Sequence, residues 1–340
     1  MRISQLTGPY LFVFASVLLG ISNTLEAQTK PASPPKATQP KKVEPEVPEP
    51  TEKDIAYGDH PRHRLDFWKA ESALPTPLVF VIHGGGWVGG SKERVGRFVD
   101  VERLLAQGIS VVAINYRYTS QAAEANIEPP VKAPLMDAAR ALQFVRSQAK
   151  AWNIDKTRIG ASGGSAGACS SLWLAFHTEM GEPESADPIA RESTRLWCAA
   201  VNGAQTSLDP QQMQEWIPNS KYGAHAFGIT AAKGENAFAK FLAERERILP
   251  WIAEYSPYEL VSSDDPEIYL NYAAPPALGQ AAKDPTHSAN FGLKLQERCQ
   301  TVGIRCTLQY PGAASNSTAD NARPPTITDF LIAKLKAPTQ

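Results

Sequence analysis

The chain has 340 residues, 43% of them hydrophobic and 20% charged, with a formal net charge of −1 at pH 7. These proportions are those of an ordinary globular protein, and the length leaves room for one large α/β domain or two modest ones. The balanced charge and the lack of a long Lys/Arg block argue against nucleic acid as a partner. Cys169, Cys198, Cys299 and Cys306 are too few for a disulfide framework and have no metal-type CxxC spacing.

In chain order, Met1-Arg-Ile-Ser precedes an apolar run from Tyr10 to Ile21, and Ala27 stands before Gln28. One positive charge, a short apolar stretch and a small residue beyond it read as a secretory signal peptide over 1–27. Spanning a bilayer takes roughly 20 apolar residues, more than this run supplies. The expectation is a secreted or periplasmic protein with no stable membrane anchor after cleavage. Residues 28–53 are dominated by Pro, Lys and Glu and lack aromatics, so they read as a Pro-rich, disordered linker. The folded domain is expected over 54–340.

Leu65–Trp68 reads as an early strand. Pro77–Ile82 and Ile109–Ile114 are continuous apolar runs, the pattern of strands buried on both faces, and Thr157–Gly160 is a shorter third. Leu135, Ala138, Leu142, Val145, Ala149 and Trp152 recur at three-to-four spacing, which predicts a helix. Strands alternating with amphipathic helices imply crossover connections, hence an α/β class with a mostly parallel central sheet flanked by helices. Trp197–Val201, Ile268–Tyr272 and Cys306–Tyr310 continue the strands, the last alternating as an edge strand does. Residues 209–255, with Trp216, Trp251 and several prolines, read as a helical insertion. Residues 311–324 read as a polar loop before a final helix near 326–336.

Two motifs carry chemistry. "GASGGSAG" (160–167) stands between a strand-like and a helix-like run and contains G-x-S-x-G centred on Ser165. Gly163 and Gly167 permit a tight strand-to-helix turn that lifts the serine to the carboxyl end of the sheet, with the Ala166 N–H aimed where an oxyanion would form. "HGGGWVGGS" (83–91) follows the strand ending at Ile82. Gly85 and Gly86 there leave peptide N–H groups unobstructed and complete an oxyanion hole with Ala166. The spacing fits neither a dinucleotide fingerprint nor a P-loop, so no cofactor is indicated. His83 is expected to brace this loop.

Order and spacing resemble the esterase/lipase branch of the α/β-hydrolase superfamily, with "HGGGW", "NYRY" (115–118) and "GGSAG" carrying the likeness from about Tyr57 to Lys336. The resemblance implies an α/β-hydrolase fold, carboxylic ester substrates as for acetyl-xylan- and feruloyl-esterase-like enzymes, Ser165 as nucleophile and the backbones of Gly85, Gly86 and Ala166 as oxyanion hole. By the same motif order the acid belongs after Ile268–Tyr272. Asp284 is the carboxylate available there, although Asp284-Pro285 equally suits a helix N-cap. The family's histidine belongs after the last strand, where "YPGAASNSTAD" has none, and none occurs from Ser288 onward.

Among the histidines after Ser165, His177 lies about three turns along the following helix and is too distant. His225 sits in the insertion and is expected to be an exposed loop or helix histidine. His287, in the acid loop, is the substitute base, with an orienting partner other than its neighbour Asp284. The expectation is an exported serine hydrolase forming a Ser165 acyl-enzyme on a small-molecule or carbohydrate ester. The competing expectation is a catalytically impaired homologue that binds a sugar or acyl ligand, with Trp87 at the pocket mouth and the aromatic insertion above it.

Overall fold

The computed structural model describes residues 46–313 and 324–337. The signal-peptide reading, most of the linker reading and the centre of the 311–324 loop lie outside these residues. Eight strands form one sheet: β1 (Glu52–Ala56), β2 (Arg64–Trp68), β3 (Thr76–Ile82), β4 (Ser110–Ile114), β5 (Ile154–Gly164), β6 (Cys198–Asn202), β7 (Glu267–Asn271) and β8 (Cys306–Gln309). Their spatial order is β1-β2-β4-β3-β5-β6-β7-β8. β2 pairs antiparallel with both β1 and β4, and every pairing from β4 to β8 is parallel. The antiparallel ribbon caps one edge of an otherwise parallel sheet.

The central strands bury both faces, which is why they read as unbroken apolar runs: all seven residues of β3 and all five of β4 are buried. Before Ser165 come α1 (Val101–Ala106), α2 (Thr119–Glu124), α3 (Lys132–Ser147) and α4 (Ala149–Trp152), and α5 (Ala166–Phe176) follows it. The predicted helix from Leu135 to Trp152 is thus two, broken at Gln148. Beyond β6 lie α6 (Pro210–Trp216), α7 (Ala237–Ala243), α8 (Arg245–Tyr255) and α9 (Pro257–Leu260), then α10 (Ala289–Val302) and α11 (Ile327–Lys336). One apolar core packs α3, α5 and the 209–255 helices on one sheet face; a smaller one packs α1 and α11 on the other.

The ordered domain starts before residue 54. Trp68 Nε1 donates to the Pro48 carbonyl (2.7 Å), Thr51 Oγ1 accepts from the Lys69 N–H (2.9 Å), and β1 begins at Glu52. The linker boundary at 53 is corrected on that ground: charged residues with little burial of their own join the sheet through backbone bonds to β2. All four cysteines are free thiols. Among the described residues, no helix is long and apolar enough to cross a membrane.

Candidate active site

The chain runs from β3 outward to β4 and then returns past β3 to β5, so the strand order reverses between β3 and β5. Such a switch point opens a crevice at the carboxyl ends of the strands. Ile82 and Gly163 are partners across this pairing, which sets the loop after β3 against the turn after β5. The approach leaves no space for side chains. A Cβ on Gly84 would lie 2.5 Å from the Gly164 carbonyl oxygen, and one on Gly167 would collide with the Ile82 carbonyl oxygen.

Ser165 is the pivot of the strand-to-helix turn. Its φ of 54° and ψ of −123° are conformations that non-glycine residues avoid, at a cost of about 1–3 kcal/mol. Its own N–H is pinned to the Asn202 carbonyl (3.0 Å), and α5 begins at the next residue. The Ala166 N–H is therefore one of the four donors that a helix leaves unpaired at its start. In the glycine loop, Gly85, Gly86 and Trp87 all have positive φ (122°, 62° and 57°). Val88 and Gly89 donate to the Gly85 carbonyl (3.1 Å each), turning that oxygen into the loop.

His83 braces this loop. Its Nδ1 donates to the Gly84 carbonyl (2.8 Å), its ring stacks on Tyr116 (4.2 Å between centroids), and the Tyr116 hydroxyl donates to the His83 carbonyl (2.9 Å). Burial, helped by the Arg62 and Arg94 charges, pushes the His83 pKa down to about 4, so the ring stays neutral.

Two expectations about this region are corrected. His225 is half-buried, not exposed: its Nε2 donates to the Gly86 carbonyl (2.9 Å), and burial lowers its pKa. Trp87 is fully buried, with Nε1 donating to Ser170 Oγ (3.0 Å), and so it anchors the loop on α5 and does not line the pocket mouth. The insertion likewise contributes no lining residue to the cavity at Ser165. Through His225 it holds Gly86 from behind.

The imidazole that meets Ser165 comes from the β7–α10 connection. His287 Nε2 lies 3.0 Å from Ser165 Oγ, and His287 Nδ1 lies 2.8 Å from Asp284 Oδ2. The expected separate orienting partner is corrected: Asp284 itself is the partner. The local reason is helical geometry. Pro285–His287 form a 3₁₀ turn with Asp284 as its cap, and at three residues per turn positions i and i+3 eclipse. The N-cap and orienting roles fall on different oxygens, since Oδ1 accepts from the N–H groups of Thr286 (3.2 Å) and His287 (3.3 Å). Partial burial disfavours the Asp284 charge, but the His287 hydrogen bond and these two donors outweigh it and hold the carboxyl below its usual range. α10 then starts afresh, capped by Ser288.

Sequence reasoning missed Gln205. It is fully buried, and its Nε2 donates to the Thr286 carbonyl (2.6 Å), tying the His287 turn to the loop after β6. A lone glutamine in a polar loop offers no signal of this. His177 is remote from the site, its Nε2 paired with Glu254 (3.2 Å). Among the described residues, no group of three or more His, Cys, Asp or Glu side chains is arranged to hold a metal.

The sheet order, the strained serine turn and the glycine loop together define an α/β-hydrolase fold of the esterase type. The chain belongs to the BD-FAE family, whose model matches residues 65–278. That match includes the glycine loop and Ser165 and ends before Asp284 and His287. The chain is similar to the probable isoprenylcysteine alpha-carbonyl methylesterase ICME of Oryza sativa subsp. japonica, 32% identical over 138 residues (38% of this chain, 30% of that protein). It is also similar to Esterase LipC of Mycobacterium tuberculosis, 31% identical over 117 residues (33% and 27%). The chain thus spans less than a third of the length of either relative.

Two solved structures share the fold. One is the acetyl ester-xyloside bifunctional hydrolase of Caldicellulosiruptor lactoaceticus (TM-score 0.53, 24% identity, 73% of this chain and 76% of that one). The other is Thermogutta terrifontis esterase 2 phosphonylated by sarin (TM-score 0.55, 20% identity, 77% and 84%).

Proposed function

We propose that this chain is a serine hydrolase acting on small-molecule or carbohydrate carboxylic esters through an acyl-enzyme on Ser165. The observation that carries the reading is the relay from Ser165 Oγ to His287 Nε2 (3.0 Å) and from His287 Nδ1 to Asp284 Oδ2 (2.8 Å), set on a strained turn facing a glycine loop. As Ser165 Oγ bonds to the acyl carbon, its proton passes to His287 Nε2, and the carbonyl electron pair moves onto oxygen. Gly85, Gly86 and Ala166 N–H groups meet that oxygen, and Asp284 stabilises the imidazolium. The tetrahedral species collapses, the alcohol leaves with the His287 proton, and a water activated by the same imidazole releases the acid.

The sarin-phosphonylated state of Thermogutta terrifontis esterase 2 suggests the test. A fluorophosphonate should label the protein at Ser165, read by peptide mass spectrometry, and His287→Ala should abolish labelling and ester turnover. Absence of wild-type labelling beside a competent esterase would instead favour a ligand-binding homologue. The N-terminal pattern supports export; protein from the extracytoplasmic fraction should begin near Gln28 on N-terminal sequencing.

A further inference from the structure

The chain is nearly neutral overall, yet the cavity of about 360 Å³ over Ser165 has Arg94 and Arg97 in its lining, beside Phe98, Asn202 and the His287–Asp284 pair. The two arginines share one 3₁₀ turn, Lys92–Arg97, and their i, i+3 spacing puts them on one face of it. This turn is fixed at both ends. The Lys92 ammonium is buried and bonded to Asp54, Asp66 and Glu93 (2.8, 2.8 and 3.0 Å), and its N–H donates to Asn115 Oδ1 (2.8 Å). Val95 is buried beneath the turn. Phe98 packs against the serine turn so closely that a Cβ on Gly164 would lie 2.7 Å from its Cε1.

Among the described residues, no carboxylate forms an ion pair with Arg94. Glu93 is committed to Lys92, and Asp284 spends its oxygens on His287 and two backbone donors. The positive charge reaches the catalytic loop, where it is among the influences that keep His83 unprotonated. The relay and the oxyanion hole need no cation at this position, because the tetrahedral oxygen already has three N–H donors. An exposed guanidinium on an anchored turn, lining the same cavity as Ser165, matches a planar anion on the substrate.

We propose that Arg94 selects esters carrying a carboxylate group within the same small molecule as the scissile bond. This rests on the ester-hydrolase reading above, and the ester bond is cleaved as described there, with the selected carboxylate unchanged in the product. Two matched pairs locate that anion. Mono-4-nitrophenyl glutarate against 4-nitrophenyl pentanoate places it on the acyl side; 4-acetoxybenzoate against methyl 4-acetoxybenzoate places it on the alcohol side.

On one of the pairs, wild type should show kcat/KM for the anion above that for the neutral ester by on the order of tenfold, the scale of one charge-assisted hydrogen bond. The ratio should fall towards one in Arg94→Gln and below one in Arg94→Glu. It should also shrink as ionic strength rises from about 0.01 to 1 M, where the screening length contracts from roughly 30 to 3 Å. Turnover of the neutral esters reports on the hydrolase reading, whereas the ratio reports on Arg94. Ratios at or below one on both pairs, or ratios unchanged by Arg94→Glu, overturn the proposal. Calorimetric binding of the same four compounds to Ser165→Ala measures the selectivity without turnover: equal affinity for both members of each pair refutes it.

Discussion

Asp284→Asn isolates what a carboxylate does for His287 in this unusual arrangement. Asparagine keeps one oxygen for the two backbone donors of the turn but sets an NH2 against the Nδ1–H, so the substitution preserves the cap while removing both the charge and the acceptor that orients His287. In the proposed mechanism the charge stabilises the imidazolium formed as Ser165 attacks. At a separation of roughly 4 Å, two unit charges are worth about 1 kcal/mol in water and about 4 kcal/mol at an effective dielectric constant of 20. The Asp284 side chain is 63% exposed and that of His287 38%, which places the pair between those limits. The expected loss is about 2–3 kcal/mol in the transition state, or roughly 30- to 150-fold in kcat. That is well short of the ~10⁴-fold cost known where the triad acid is buried. Steady-state kcat on 4-nitrophenyl acetate, with Tm measured alongside to verify folding, provides the assay. A loss below threefold would deny Asp284 its orienting role, and a loss of 10⁴-fold would show that exposure fails to weaken the pair.

Three further outcomes follow from the same geometry. His287→Ala should lower kcat by on the order of 10⁴- to 10⁶-fold, as removal of a triad base does, and a residual activity above a tenth would mean a different base. Gly167→Ala should cost about 3 kcal/mol or more, read from Tm, since its Cβ meets unyielding backbone of Ile82 and His83; Gly89→Ala, with nothing within 4 Å, should be close to neutral. Acidification should destabilise the fold between about pH 4.5 and 2. Burial opposes the Glu93 charge, but the Ser91 hydroxyl, its own N–H and Lys92 hold its pKa down from 4.5 to about 2, so the native state binds fewer protons there than the unfolded chain. Asp137, paired with His63 and Arg117, is also lowered, whereas Asp265, raised by burial to about 6, acts in the opposite sense above pH 4. Glu93→Gln should flatten part of the loss in Tm on a pH series; an unaltered acid limb would remove Glu93 from the account.

The sheet, the elbow and the glycine loop are legible in the chain alone, because each is a local matter: continuous apolar runs for strands buried on both faces, and glycines where β3 and β5 leave no room for a Cβ. Even the pairing of Asp284 with His287 is locally encoded, since Asp-Pro-Thr-His in one 3₁₀ turn stacks the first residue over the fourth. What no local pattern holds is the meeting of His287 with a serine 122 positions upstream. That depends on parallel register. Gly164, Asn202 and Asn271 are partners across β5, β6 and β7, so the three strands end level and the turn after β7 hangs beside the turn after β5. Gln205 then ties it there through Thr286, by a contact between loops that adjoin only once the sheet has formed.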